Sequence, residues 1–230
     1  MALLAVQTSL DPAGAISASS IAAHAEQMGL TLLAEQSERL ERFIALLLRW
    51  NRTHNLTAIT RPQQVLSLHL LDSLSAAVEL PADPPLRVLD AGSGAGLPGI
   101  PLAIALPQHH FTLVDAVAKK CAFVTQACVE LDLKNVEPVH GRLEELRGAG
   151  YQGRFDVIVA RAFGTLATLV EVSRHLLAPS GRWIAMKGLP SEQEQQRLPH
   201  DVEVVRTVPL HVPLLHQARS LVVLQIATPH

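Results

Sequence analysis

The sequence predicts an α/β fold: a seven-stranded, mostly parallel sheet preceded by a helical N-terminal extension. Three observations carry this. Between residues 86 and 187, short aliphatic runs alternate with helix-length stretches, the grammar of parallel strands joined by crossover helices. Ahead of them, apolar residues recur at spacings of three and four. Behind them, two β-rich segments follow one another with no helix-length segment between, as a closing antiparallel pair does.

In chain order, residues 1–20 are rich in Ala and Ser without a period, and a mobile start is expected there. Residues 21–80 form the helical extension. In residues 31–50, Leu40, Phe43, Ile44, Leu47 and Leu48 make one apolar face between charged neighbours. A polar linker spans Asn51–Arg61, and a second helix over 62–79 opens on Pro62, whose fixed φ suits a first helical position. Three prolines in Pro81–Pro85 separate this extension from the sheet domain, residues 81–230. The five parallel strands are expected at Arg87–Ala91, Phe111–Asp115, Val136–His140, Phe155–Ala160 and Arg182–Lys187, with helices near 97–106, 118–132 and 164–178. Asp201–Leu210 and Ser220–Ala227 make the final pair.

Composition narrows the function classes. Apolar residues are 48% of the chain, enough for a real core, which excludes a disordered chain. Net charge is −2, so any nucleic-acid contact must come from a local basic patch rather than from the total. No run approaches the roughly 18 apolar residues of a membrane helix, and the start MALLAVQTSLDP lacks the basic region of a secretory signal. A cytoplasmic protein with no membrane partner is expected. Cys121 and Cys128 are seven apart on one expected helix, too distant for a disulfide. The histidines have no neighbouring cysteines or carboxylates at ligand spacing, so no metal is expected.

The most informative stretch is Val88-Leu-Asp-Ala-Gly-Ser-Gly-Ala-Gly-Leu-Pro-Gly99. A strand ends on Asp90, then Gly92, Ser93, Gly94, Gly96 and Leu97 form a turn that admits positive φ and close approach of a ligand to the backbone. The letters Gly94-x-Gly96-x-x-Gly99 also fit a dinucleotide fingerprint, a weak signal when alone. An acid just before the turn disfavours a pyrophosphate and favours a ligand carrying a sulfonium and an ammonium, as S-adenosylmethionine does. Asp115, ending the second strand, can accept from ribose hydroxyls or cap the following helix. In Gly141–Glu145, backbone groups or Glu144 can bond the edge of an adenine and Leu143 can cover its face, or the stretch merely begins a solvated acidic helix. Arg161, after the fourth strand, stands where several amino-methylating enzymes carry a proton-accepting motif. Guanine N7 already presents a lone pair and loses no proton, so it needs positioning and no base. Arg161 can serve that end by pairing with O6, a phosphate or the donor, or can simply bridge to Asp90 or Glu144.

These pieces resemble the RsmG (GidB) family of bacterial small-subunit rRNA guanine-N7 methyltransferases. The matching motifs are Trp50-Asn-Arg-Thr-His-Asn-Leu-Thr57, His69-Leu-Leu-Asp-Ser73, Asp90–Pro101, Ala160-Arg-Ala-Phe163 and Met186-Lys-Gly188, which together cover about residues 40–225. The resemblance implies the seven-stranded Rossmann-like sheet of class I S-adenosylmethionine-dependent methyltransferases. It implies a donor held around Gly92, Leu97, Leu143, Glu144 and Arg161. Its implied target is a guanine in the decoding-region hairpin of 16S rRNA, the 530 loop (position 527 in the usual rRNA numbering), and loss of that methylation goes with low-level streptomycin resistance. Candidate RNA contacts are Asn51, Arg52, Asn55, Thr57, Lys187 and Arg219, with 16S rRNA or the 30S subunit as partner to a monomer. Asn55 and Thr57 can equally cap and turn the chain, and His69 with Asp72 reads as a buried hydrogen-bonded pair. Two other readings stand beside this one: a nucleotide-dependent oxidoreductase, and an assembly factor that binds RNA without turnover.

Overall fold

The computed structural model describes residues 16–148, 150–189 and 191–227. The mobile start expected for residues 1–20 lies outside these as far as residue 15. Helix α1 (Ala18–Gln27) already includes Ala18–Ser20, and Ser17 caps it by accepting from the Ser20 N–H. Helix α2 (Ala34–His54) buries Leu40, Phe43, Ile44 and Leu47, the apolar stripe of the sequence. It runs through Asn51–His54, so the linker starts at Asn55 rather than Asn51. Asn55 ends the helix in the left-handed conformation at φ 48, its N–H returning to the Asn51 carbonyl.

The second helix of the extension is composite. Pro62–Gln64 is one α-turn (α3), Val65–Leu71 widens to a π segment, Asp72–Leu74 returns to α (α4), and Ser75–Glu79 tightens to a 3-10 turn. Hydroxyls of Ser67, Ser73 and Ser75 donate to the carbonyls of Gln63, His69 and Asp72 along it. A wide turn displaces carbonyls from the regular ladder and rotates the following side chains, and such turns gather at functional sites. Apolar spacing gave no sign of it.

The sheet has seven strands: β1 (Arg87–Ala91), β2 (His110–Asp115), β3 (Val136–His140), β4 (Phe155–Arg161), β5 (Leu177–Lys187), β6 (Val202–Leu210) and β7 (Arg219–Ile226). Their order is β3-β2-β1-β4-β5-β7-β6, parallel except for the pairs β5–β7 and β6–β7. Five parallel strands closed by an antiparallel pair is the expected arrangement. Helices α5 (Gly99–Ala105), α6 (Ala118–Glu130), α7 (Leu166–Ser173) and α8 (Glu192–Gln196) complete the chain. Among these, α8 lies where the sequence pattern indicated no element.

Successive strand residues point to opposite faces, and both faces are covered, which is why the strands read as unbroken aliphatic runs. Val88, Val157, Val159 and Ile184 join one core with α2, the π segment, α5 and α6. Leu89, Ile158, Ala160 and Trp183 join the other with α7. Gln36 ties the extension to the sheet domain, donating to the carbonyls of Ile104 and Ala105 at the end of α5. The chain reverses its winding between β1 and β4, so a crevice opens beyond the carboxyl ends of these neighbours, where ligands bind in such sheets.

Candidate active site

The glycine turn stands at that crevice. Gly92, Gly94 and Gly96 take φ values of 70, 58 and 76. A Cβ on Gly92 would lie 2.7 Å from the Phe163 ring, so glycine is required for space as well as for conformation. Two carboxylates hold the turn from behind. Asp115 accepts from the Gly94 N–H at 2.8 Å and from the Val117 N–H at 2.9 Å. Asp90 accepts from the Gly99 N–H at 2.8 Å through Oδ2, while its buried Oδ1 has no partner among the described residues. Asp90 is fully buried, and burial pushes its pKa up from 3.8 to about 7, against the pull of the Gly99 N–H and the Arg161 charge.

In front of the turn lies an open cleft of about 640 Å³. One side is Gly92, Ser93, Gly94, Ala95 and Leu97; another is Arg161 and Ala162 after β4, with Met186, Lys187 and Gly188 after β5. Ala162 is held at φ 54, a strained conformation for a residue with a Cβ. The extension supplies the remaining wall with Leu56, Thr57, Ile59, Leu68, His69 and Asp72. Asp72 is 4% exposed and holds two guanidiniums. Its Oδ2 accepts from Arg161 Nη1 at 3.1 Å, and its Oδ1 from Arg219 Nε at 3.0 Å. The same Arg161 nitrogen donates to the Leu68 carbonyl at 2.8 Å, at the π segment. Lys187 is engaged by Glu194 at 2.6 Å, and Lys120 lies 3.9 Å from Asp115.

The chain matches the family profile of rRNA small subunit methyltransferase G (GidB) over residues 36–223. It is 48% identical over 204 residues to the ribosomal RNA small subunit methyltransferase G of Burkholderia thailandensis, covering 88% of each chain. The chain belongs to the GidB family. Solved structures agree on the fold. TrmN from Thermus thermophilus superposes with TM-score 0.54 at 18% identity, covering 74% of this chain and 55% of that one. A SAM-dependent methyltransferase from Aquifex aeolicus gives 0.51 at 15% identity, covering 70% and 92%. The sheet is that of the class I S-adenosylmethionine-dependent methyltransferases.

Within this GidB family member, the expected site residues separate into groups. Gly92, Ser93, Gly94, Leu97, Arg161, Thr57, Lys187 and Arg219 are brought together around the cleft. Asp90, Gly96 and Asp115 lie behind the turn and shape it. Leu143 is 5% exposed and packed in the α7-side core, and Glu144 beside it is exposed on the surface. Asn51 is buried, not a free RNA contact: its amide exchanges hydrogen bonds with the Thr57 backbone at 2.8 and 3.0 Å and fixes the loop after α2. Thr57 Oγ1 is likewise engaged, 2.8 Å from His69 Nε2, and it accepts from the Ile59 N–H. Arg52 and Asn55 are exposed, but away from the cleft lining.

One pairing differs from expectation: His69 bonds Thr57 rather than Asp72. Arg161 does bridge to a neighbouring carboxylate, and that carboxylate is Asp72. The π turn between His69 and Asp72 sends the two side chains to different partners. Burial, and then the Arg161 charge, lower the His69 pKa to about 4, so its ring is neutral at ordinary pH. Sequence reasoning missed the Asp72–Arg161–Arg219 cluster and the apolar wall of Leu56, Ile59 and Met186. The only signal for the cluster was the motif His69–Ser73 itself, because its two arginines come from strands 89 and 147 residues away.

These residues fit S-adenosylmethionine. Gly94 leaves the space of a side chain free beside the cleft, and behind it the buried Asp90 Oδ1 keeps an unused acceptor. They fit a dinucleotide less well. Beyond the turn, the Gly99 N–H donates to Asp90 and the Ile100 N–H to the Gly96 carbonyl, leaving these α5 amides unavailable to a pyrophosphate. Among the described residues no cluster of metal-ligating side chains exists, and both cysteines are free thiols. No described helix is long and apolar enough to cross a membrane.

Proposed function

We propose that the protein transfers a methyl group from S-adenosylmethionine to N7 of a guanine in the 530 loop of 16S rRNA, at position 527 in the usual rRNA numbering. One observation carries the choice of acceptor atom: the cleft holds no free proton acceptor among its lining carboxylate and imidazole groups. Asp72 has each oxygen on a guanidinium, and His69, already bonded to Thr57, is too weak a base at a pKa near 4. Methylating an exocyclic amine requires that a proton leave; methylating N7 requires only an aligned lone pair. When bound, S-adenosylmethionine supplies an electrophilic methyl group on a sulfonium. Gly94 gives the donor room against the backbone, Asp90 and Asp115 hold the turn behind it, and the apolar wall of Leu56, Ile59 and Met186 excludes water from the acceptor base.

Arg52, Asn55 and Lys187 are read as contacts to the rRNA chain, Arg219 being held on the inner wall by Asp72, and residues 21–80 as the extension that completes the cleft of a methyltransferase domain over 81–230. The protein acts as a cytoplasmic monomer on 16S rRNA or the 30S subunit in this reading. The 48% identity to an enzyme named for small-subunit rRNA methylation supports it. The test is transfer of labelled methyl groups to 30S subunits lacking the modification. Borohydride reduction and aniline, which cut RNA at N7-methylguanosine, are expected to cleave at one guanine in that hairpin. Label that resists this treatment, or that lies in another hairpin, overturns the assignment.

A further inference from the structure

We infer that Asp72 is a positioning residue, which aims the Arg161–Arg219 pair at the carboxylate of the methyl donor's amino-acid end. The inference rests on the donor reading above and adds to it a residue of the helical extension. A guanidinium on its long stem samples many rotamers, and order must come from its partners. Here one Arg161 nitrogen, Nη1, is shared by Asp72 and the Leu68 carbonyl. Its Nε and Nη2 make no hydrogen bond among the described residues, and the side chain lines the cleft opposite the glycine turn. Arg219 braces the other oxygen of Asp72.

Charge decides what this fork accepts. Lys187 is neutralised by Glu194, and Lys120 stands near Asp115, whereas two guanidiniums share the single charge of Asp72. The surplus positive charge of the lining sits at this fork. Its side chains are only 16% and 21% exposed, on the inner wall rather than at the rim where a phosphate chain would run. Across the turn, the buried Asp90 Oδ1 is an acceptor with no partner among the described residues. A carboxylate and an ammonium on one carbon match the fork and that acceptor, and nitrogen donors to a carboxylate make strong charge-assisted bonds. The π turn matters because it places both the Leu68 carbonyl and Asp72 within reach of one nitrogen.

Calorimetry on Asp72→Asn, with S-adenosylhomocysteine and 5′-methylthioadenosine compared, tests this. The second ligand keeps the nucleoside and lacks the amino-acid end. The expected result is a loss of about tenfold or more in affinity for S-adenosylhomocysteine, with 5′-methylthioadenosine changed by less than about twofold. Equal losses, or none, overturn the inference, as does an unchanged S-adenosylhomocysteine affinity with a raised KM for 30S subunits, which would assign the fork to phosphate. Should the variant fail to fold, hydrogen exchange on the unsubstituted protein decides. Exchange over residues 65–74 is expected to slow with S-adenosylhomocysteine and not with 5′-methylthioadenosine; equal slowing, or none, contradicts it. If the unsubstituted protein binds neither ligand, the donor reading fails as well. If it binds both with equal affinity, only the role of Asp72 fails.

Discussion

Gly92→Ala is expected to lose about tenfold or more in affinity for S-adenosylhomocysteine and about 2–4 kcal/mol of stability. Two costs combine. The backbone at φ 70 is left-handed, which disfavours any Cβ by about 1–2 kcal/mol. The new methyl group would also meet the Phe163 ring at 2.7 and 2.9 Å, so the ring must move, and overpacking of this kind costs about 1–3 kcal/mol. Phe163 follows the strained Ala162 in the cleft wall, so its movement deforms the site. Gly94→Ala is the control. Its Cβ would find only Lys120 Nζ at 3.9 Å, so stability should fall by about 1–2 kcal/mol from backbone strain alone. Urea unfolding and calorimetry on the two variants separate the contributions; equal stability losses would contradict this account of the turn.

Asp90→Asn should produce a protein that is more stable at pH 8 and weaker as a methyl-donor binder. The sign follows from the folded-state pKa of about 7, raised by burial. Between about pH 4 and 7 the folded protein keeps a proton that the unfolded chain has released, so this group makes stability fall as pH rises through that window. Above 7 the cost of the buried charge is fully present, on the order of 2–4 kcal/mol. The amide resembles the protonated acid and should remove it. His69 acts in the opposite sense. Its pKa is lowered from 6.5 to about 4, so it favours the unfolded chain as pH falls through that interval. The two slopes oppose each other in the natural protein below pH 6.5. In Asp90→Asn the His69 slope stands alone, and stability should climb from pH 4 to 6.5 and then level. Urea titrations at pH 5 and pH 8 check this: the advantage of Asp90→Asn should be small at pH 5, early in the window, and clearly larger at pH 8, beyond it. An Asp90→Asn protein less stable than the natural one at pH 8 contradicts the assignment. Donor affinity should meanwhile fall by about tenfold, because the carboxylate field behind the turn is lost.

The sheet was legible because its information is local. Runs such as Val88–Ala91 and Phe155–Ala160 are continuous and short, and a sheet covered on both faces demands that pattern. The glycine turn was legible for the same reason, since Asp90, the three glycines and the strand lie within a few residues. The rest depended on distant partners. Asn51 and Thr57 read as polar and accessible, yet each satisfies the other inside the loop, a distinction that spacing does not encode. The burial of Leu143 was not legible, because nothing local says that α7 packs on it. Arg161 was singled out correctly as a cleft residue, but its partner sits on the extension, and the π turn that aims Asp72 departs from the 3.6-residue period on which the helix was recognised.

The central claim is that the glycine turn and the wall facing it form an adenosyl-sulfonium donor site, and calorimetry at neutral pH tests it most directly. One molecule of S-adenosylhomocysteine should bind per chain, tighter than high micromolar, while NADH gives no heat. Silence from S-adenosylhomocysteine at that concentration, or saturable binding of NADH displaced by no adenosyl ligand, would contradict it.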